Sequence, residues 1–254
     1  HLQGLDNYNE HMMHTVIYGP PGVGKTELGK IMGEIYCDLG VLDFNDYSFH
    51  IMKRSDLIGR YLGETAIKTQ EAIEKCKGGV MFIDEVYSLG NPEKKDSYSK
   101  ECIDVLNQNL SENKSSFICI IAGYKESVDK CFFAQNEGLE RRFPYRYEID
   151  NYNATELQKI FINLVFKSNW KLENEDCKIE FFEENKEYFK YNGGDLENLF
   201  EQVKIAHSRR IFGLSKSNRK CINYKDIIVG FEKFKDNNTK KIKEENKIIP
   251  TMYS

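Results

Sequence analysis

The sequence of 254 residues is notable first for what it does without. No apolar run approaches the roughly 20 residues a membrane-crossing helix needs, and the N-terminus shows no charged-then-apolar signal pattern. The seven cysteines (Cys37, Cys76, Cys102, Cys119, Cys131, Cys177, Cys221) are scattered, with no C-x-x-C pair. Their odd count, and the position of several in stretches that read as helix or strand, point to reduced thiols in a cytoplasmic or other reducing compartment. The five histidines show no H-x-x-x-H spacing and no cysteine partner, which argues against a zinc site. A surplus of positive charge is missing too: 36 Lys and Arg face 40 Asp and Glu, for a net charge of −4. That balance argues against a nucleic-acid partner, which needs a positive surface to meet phosphates, although it leaves room for a local basic stripe. There is no internal repeat and no low-complexity block.

What is present suits a globular chain of one large domain, or of a core domain plus a smaller one: 40% apolar and 30% charged residues. Three short apolar runs, "TVIY" (15–18), "GVMFID" (79–84) and "FICIIAG" (117–123), read as buried strands of a parallel sheet. Further strands are expected over 47–52 and 145–150. Between them lie helical patterns: Leu28, Ile31, Met32, Ile35 and Tyr36, then more weakly Ala66, Thr69, Ile73 and Cys76. Alternating strands and helices predict a doubly wound α/β sheet over residues 1–150. From Ala154 the pattern is helical only. Leu157, Ile160, Phe161, Leu164 and Val165 make one stripe, and Leu196, Leu199, Phe200 and Val203 another. Further helices are expected over 178–190 and 224–235. Residues 151–235 therefore read as a small helical domain, and 236–254, polar and of mixed charge, as a mobile tail.

The strongest local signal is "GPPGVGKT" (19–26), which directly follows the first strand and opens the first helix. That context is what the G-x-x-x-x-G-K-[ST] pattern requires. A pattern fixing four positions would arise by chance in a chain this long with a probability on the order of 1%. Gly22 and Gly24 let successive backbone N–H groups turn inward around phosphates, at the positive end of the helix beginning near Lys25. Lys25 is placed to reach the β- and γ-phosphates of ATP, and the Thr26 hydroxyl to ligate Mg²⁺. The stretch Gly19, Pro20, Pro21, Gly22, Val23, Gly24, Lys25 and Thr26, with Glu27 beside it, is the expected nucleotide cradle.

"VMFIDE" (80–85) supplies the partner carboxylates: four apolar residues bury a strand and leave Asp84 and Glu85 at its C-terminal tip. Open α/β sheets bind ligands at that edge. Asp84 is expected to hold Mg²⁺ through water, and Glu85 to polarise the attacking water as general base. Binding alone does not require the second carboxylate, so the pair points to hydrolysis. Taken without the upstream glycine-rich loop, an ordinary acidic strand end would be the better reading.

These motifs, with the "RYLGET" loop between them and "GLERRF" (138–143), resemble the AAA+ ATPases. More narrowly, "DLIGRYLGETAIKT", "GGVMFIDEVYSL" and "IIAGYKESVDKCFFAQNEGLERRF" resemble the CbbX-like branch, which includes the red-type Rubisco activases and the stage V sporulation K-like ATPases. The resemblance runs from about Thr15 to Tyr152 and is looser over the helical region. It implies an α/β fold, a P-loop parallel sheet sandwiched by helices, followed by a small all-helical lid. It also implies a homo-oligomeric ring, usually of six subunits, with ATP between neighbours and a protein client. In "GLERRF", Arg142 matches the family's trans-acting arginine, with Arg141 as second choice; on residue pattern alone, both would be solvated surface arginines. Arg60, Tyr61, Leu62 and Gly63 match the pore loop, whose aromatic grips an extended polypeptide, with Gly59 and Gly63 allowing it to swing. Bare periodicity would make Tyr61 an ordinary packing residue.

Two positions depart from the pattern. Many AAA+ proteins carry a polar sensor, often Asn, where this chain has Tyr124. The Rubisco activases resemble G-N-A-R where this chain reads Gly193-Gly194-Asp195-Leu196, so a cationic sensor is absent there and the client is left open between Rubisco and another protein. Backbone near Gly194 is expected against adenine and ribose, while Arg209 and Arg210 are read as structural. Only fourteen residues precede Thr15, as in an excised module. The leading reading is an ATP-driven protein remodeller. The alternatives are a nucleic-acid-directed AAA+ ATPase and a slow-hydrolysing assembly scaffold.

Overall fold

The protein is described by a computed structural model covering residues 12–42, 47–61, 63–90, 96–113, 116–173, 177–212 and 219–248, with backbone only over 239–248. The chain forms two compact units, His1–Pro20 with Gly24–Asp150, and Pro21–Val23 with Asn151–Ser254.

The first unit is built on five parallel strands: β1 (Thr15–Tyr18), β2 (Phe49–Met52), β3 (Val80–Ile83), β4 (Ile118–Gly123) and β5 (Tyr145–Glu148). Their order across the sheet is β2-β3-β4-β1-β5. Residue pairs such as Thr15↔Ile120 and Phe82↔Ile120 set the register. The central strands β1, β3 and β4 are buried on both faces, as a parallel sheet covered by helices must be. Their side chains alternate. Val16, Tyr18, Met81, Ile83, Cys119 and Ile121 enter one core with α3 (Glu64–Lys75) and α4 (Ser97–Glu112); Ile17, Val80, Phe82, Ile118 and Ile120 enter the other with α1 (Lys25–Asp38). A short helix α2 (Arg54–Leu57) leads from β2 towards α3, and α5 (Lys125–Cys131) follows β4.

Two details differ from the reading by periodicity. On α1 it is Gly29 and Gly33, with Tyr36 and Cys37, that face the sheet, while Ile31 and Ile35 are exposed. The reason is steric: a Cβ at Gly29 would lie 2.7 Å from the Phe82 ring, so only glycine lets helix and strand approach this closely. The expected helix over 178–190 is shorter, α7 (Ile179–Glu184) followed by a 3₁₀ turn Lys186–Tyr188.

The second unit packs α6 (Ala154–Lys167), α7, α8 (Gly193–Arg210) and α9 (Tyr224–Ile248) around Leu157, Phe161, Val165, Leu196, Leu199, Val203, Phe231 and Phe234. α6 begins with a capping box: the Glu156 amide donates to Asn153 Oδ1 at 2.9 Å, and the Asn153 amide donates back to Glu156 Oε2 at 2.8 Å. The unit is not purely helical. β6 (Lys171–Leu172) and β7 (Cys221–Ile222) form a two-residue parallel ladder. Strands this short carry no periodicity to read. α9 also continues through Ile248, into the stretch read as a polar tail after residue 235; residues 249–254 lie outside the described residues.

Candidate active site

In a parallel sheet all the C-terminal strand ends share one edge, and here β3, β4 and β1 are consecutive. The residues that follow them, Asp84 and Glu85, Tyr124, and the Gly19–Thr26 loop, are therefore brought side by side although about 40 and 60 residues of chain separate them. The Gly19 amide donates to Gly123 O at 3.2 Å, which stitches the start of the loop to the tip of β4. Gly22 (φ 76°) and Gly24 (φ 81°) are in the left-handed region, where a side chain would strain the turn. Gly24 is also the N-cap of α1, so the free amides of the helix begin at Lys25.

Lys25 Nζ donates to Gly19 O at 3.1 Å and Pro20 O at 2.8 Å, folding over its own loop. Burial pulls its pKa below the ordinary lysine value, and the carboxylates of Asp84 and Glu85 pull it back up. That opposition places the ammonium within electrostatic reach of both acids. Lys25 also lies 5.9 Å from the centre of the Tyr124 ring, which stands 6.1 Å from the Tyr87 ring. Asp84 Oδ1 accepts the Glu85 amide at 3.0 Å. Glu85 itself sits at φ 49°, ψ 46°, a left-handed conformation that costs a non-glycine residue of order 1 kcal/mol or more. Its carboxylate is exposed, and the Tyr87 hydroxyl lies against it. Burial first, and then that neighbouring charge, push the Tyr87 hydroxyl up to about 12. Tyr87 lies in the stretch "GGVMFIDEVYSL", but only the fold reveals that its hydroxyl meets Glu85.

A left-handed glycine loop at a helix N-terminus, a half-buried lysine and a carboxylate pair form the donor set that a magnesium-bound nucleoside triphosphate requires. The residues fit that group.

Arg142 and Arg141 occupy the 3₁₀ turn Glu140–Arg142 before β5. Arg142 Nε donates to Asn107 O at 3.1 Å and Ser111 Oγ at 2.5 Å, and its Nη1 to Gly138 O at 2.5 Å. The first two acceptors lie on α4. Arg141 is exposed, and no hydrogen bond or ion pair engages it among the described residues.

Tyr61 is 70% exposed, an aromatic held out in solvent by a braced loop. Glu64 Oε2 accepts the amides of Arg60 at 3.1 Å and Tyr61 at 3.2 Å, and the Gly59 amide donates to Thr65 Oγ1 at 3.1 Å. Thr69 Oγ1 and Lys68 Nζ tie α3 back to Leu57 O and Ile58 O. Gly63 (φ 83°) needs its left-handed turn. Gly59 is also required sterically: a Cβ there would lie 2.6 Å from the Glu64 Cβ. Leu62 lies outside the described residues.

A protein-family model for the ATPase family associated with various cellular activities (AAA) matches residues 15–149. The chain belongs to the AAA ATPase family. Among curated relatives, a cfxQ-like protein of Acanthamoeba polyphaga mimivirus is 45% identical over 240 residues, 93% of this chain and 59% of that protein. Stage V sporulation protein K of Bacillus subtilis is 35% identical over 175 residues, 68% of this chain and 52% of that protein. A CfxQ homolog of Trieres chinensis is 33% identical over 205 residues, 79% of this chain and 69% of that protein. These similarities place the AAA domain in the CbbX-like branch. It spans little more than half the length of the first two relatives. Among solved structures, the FIGL-1 AAA domain in complex with ADP superposes with a TM-score of 0.61 at 19% identity, covering 86% of this chain and 70% of that one. At that identity the likeness speaks to the fold: a P-loop parallel sheet with flanking helices and a mainly helical C-terminal region.

Within the second unit of this AAA domain, the loop tip Pro21–Val23 meets the start of α8. The Gly193 amide donates to Gly22 O at 2.9 Å and the Tyr152 hydroxyl to Val23 O at 2.6 Å. A Cβ at Gly22 would lie 2.0 Å from Tyr191 O and 3.1 Å from the Gly194 amide nitrogen. Gly194 donates its amide to Tyr191 O at 3.0 Å. Arg210 is structural in the plainest sense, paired with the buried Asp226 at 2.7 Å. Among the described residues no helix is long and apolar enough to cross a membrane.

Proposed function

We propose that this AAA ATPase couples the hydrolysis of Mg-ATP to the remodelling or threading of a protein client. In this reading Lys25 binds the β- and γ-phosphates and Glu85 orients and deprotonates the attacking water. Thr26 and Asp84 would hold Mg²⁺, which neutralises charge on the phosphates when bound. Tyr124 stands beside Lys25, its ring centre 5.9 Å from the ammonium; Gly194 contributes backbone at the loop tip. Copies of the chain assemble as a ring, a hexamer by family resemblance, and Arg142 of one copy reaches the ATP of the next. Two features support Arg142: its Nε and Nη1 are fixed by three bonds, while its Nη2 makes no hydrogen bond among the described residues. An arginine already oriented loses little entropy on meeting the phosphoryl group. The bare exposure of Arg141 supports it as the second choice.

The observation that carries the protein-client reading is Tyr61, exposed on a loop where the amides of Gly59, Arg60 and Tyr61 are spent on Glu64 and Thr65. An aromatic presented on such a mount offers sequence-tolerant grip to an extended chain. The test compares ATP turnover with and without α-casein, an unstructured polypeptide, and with and without single-stranded DNA. Stimulation by casein that disappears in Tyr61→Ala supports the reading. Stimulation by DNA, or casein stimulation undiminished in Tyr61→Ala, overturns it. The buried thiols of Cys76 and Cys102, pushed by burial up to about 12 and about 11, suit a reducing compartment, where they stay protonated and inert.

A further inference from the structure

The Tyr61 loop is not a free hinge. Its bonds to α3, and those of α3 to the end of α2, make residues 54–61 and 63–75 one braced block. If hydrolysis is to move Tyr61, the turn that carries Glu85 must act on this whole block. Arg54, at the start of α2, lies at that junction. Its Nη1 donates to Ser88 O, in the 3₁₀ turn Val86–Leu89 that directly follows Glu85, and to Ser99 Oγ at 3.1 Å. Its Nη2 donates to Asp96 Oδ2 at 2.7 Å. Asp96 is in turn the N-cap of α4, its Oδ1 accepting the amides of Tyr98 at 3.1 Å and Ser99 at 3.3 Å. α4 is the helix whose far end, at Asn107 O and Ser111 Oγ, holds Arg142.

We propose that Arg54 is a positioning residue that joins the Glu85 turn, the Tyr61 block and the α4 mount of Arg142, so that a change at the phosphate reaches the loop. This rests on the reading of Tyr61 as the client-gripping residue. Three considerations support it. A planar guanidinium with its donors fanned to two other elements, the 3₁₀ turn after Glu85 and the start of α4, fixes their orientation relative to α2, which a single ammonium does not reproduce. The three acceptors lie 34, 42 and 45 residues away in sequence, so the link is tertiary and not incidental helix chemistry. The pair is half-shielded, with side-chain exposures of 39% for Arg54 and 24% for Asp96, and Asp96 is satisfied on both oxygens. Leu57 packs beside Val86 and Leu89 in the same core, giving the link an apolar backing.

The test places a tryptophan at the loop, Tyr61→Trp, in a chain whose other tryptophan is removed by Trp170→Phe. Glu85→Gln keeps ATP intact during the measurement. Emission of the loop tryptophan is compared with ATP and with ADP. The expected result is a difference between the two nucleotides with Arg54 in place, its loss in Arg54→Met, and its partial return in Arg54→Lys, while binding of a fluorescent ATP analogue is unchanged. Methionine keeps the aliphatic stem and removes every donor; should that chain fail to fold, a reduced difference in Arg54→Lys supports the proposal and a full one overturns it. A full difference in Arg54→Met overturns the role of Arg54 alone. Absence of any difference with Arg54 intact defeats the client-loop reading, and the proposal falls with it.

Discussion

Asp226 offers the sharpest test of what holds the second unit together. The residue is 2% exposed, and its carboxylate accepts from Arg210 Nε at 2.7 Å, Arg210 Nη2 at 2.8 Å and the Asn223 amide at 3.1 Å, with His207 Nδ1 at 3.1 Å. The Asp226 amide donates back to Asn223 Oδ1 at 3.1 Å, a capping box for α9. Asp226→Ala would take the carboxylate from buried His207 Nδ1, leaving only Arg210 Nη2 at 3.2 Å beside that nitrogen, when its Nε2 has no partner among the described residues. Arg210, whose side chain is 29% exposed, can turn to water. The loss is therefore less than that of an isolated buried pair and more than that of a surface one: about 3–4 kcal/mol. With a urea slope of about 2 kcal/mol per molar, that is a midpoint lowered by about 1.5–2 M. Trp170 is a built-in reporter, edge-on to His207 at 5.1 Å between ring centres. Asp226→Asn keeps the shape and one of the two acceptor oxygens, and should cost less than the alanine change. Burial alone would push the Asp226 carboxyl up, but Arg210, the Asn223 amide and His207 outweigh it and hold it below the ordinary range. Because the folded value is the lower one, this stabilisation is complete above the unfolded value of about 4, and it is lost only as pH falls through the folded value. A midpoint for Asp226→Ala within about 0.5 M of the unsubstituted chain would refute the reasoning, since it would mean water replaces the whole network.

Further outcomes follow from single residues. His14 is buried, its Nε2 facing Leu110 O at 3.2 Å and its Nδ1 accepting the Cys119 amide at 3.0 Å, and burial, only partly opposed by the Leu110 carbonyl, brings it down to about 4. The unfolded chain therefore takes up a proton below pH 6.5 that the folded chain refuses, and stability should fall by about 2 kcal/mol between pH 7 and pH 5. Urea midpoints at the two pH values check this, and His14→Gln should flatten the dependence. Gly230→Ala puts a Cβ 2.7 Å from the Val203 amide nitrogen and 2.8 Å from its Cα. Better helix propensity does not offset a clash with backbone, so a net loss of about 1–2 kcal/mol is expected by thermal or urea unfolding. Arg142→Ala should lower ATP turnover by about 10³-fold or more, with Arg141→Ala far milder; the reverse order would transfer the trans-acting role to Arg141.

Much of this was legible in the sequence because it is local. The glycine-rich loop, the apolar strand ending in Asp84 and Glu85, and the strands at 15–18 and 118–123 are short patterns whose spacing carries the geometry. What escaped depends on contacts distant in sequence. Periodicity put Ile31 and Ile35 on the stripe of α1, yet the Phe82 ring selects the glycine face. Arg54 belongs to no motif, because its acceptors come from the turn after β3 and the start of α4, both distant in sequence. Tyr87 matters only because the turn after β3 returns its hydroxyl to Glu85, and the strained backbone of Glu85 has no signature of its own. The two-residue ladder of β6 and β7 is too short for any pattern.

The central claim is that this site cleaves ATP with Glu85 as the base. Steady-state phosphate release from the full chain with Mg-ATP, compared with Glu85→Gln, tests it most directly. The expected result is measurable turnover that falls by about 10²–10⁴-fold in Glu85→Gln while bound ATP is retained. Undiminished turnover in Glu85→Gln, or a chain with Lys25 and Asp84 intact that takes up no Mg-ATP, would contradict it.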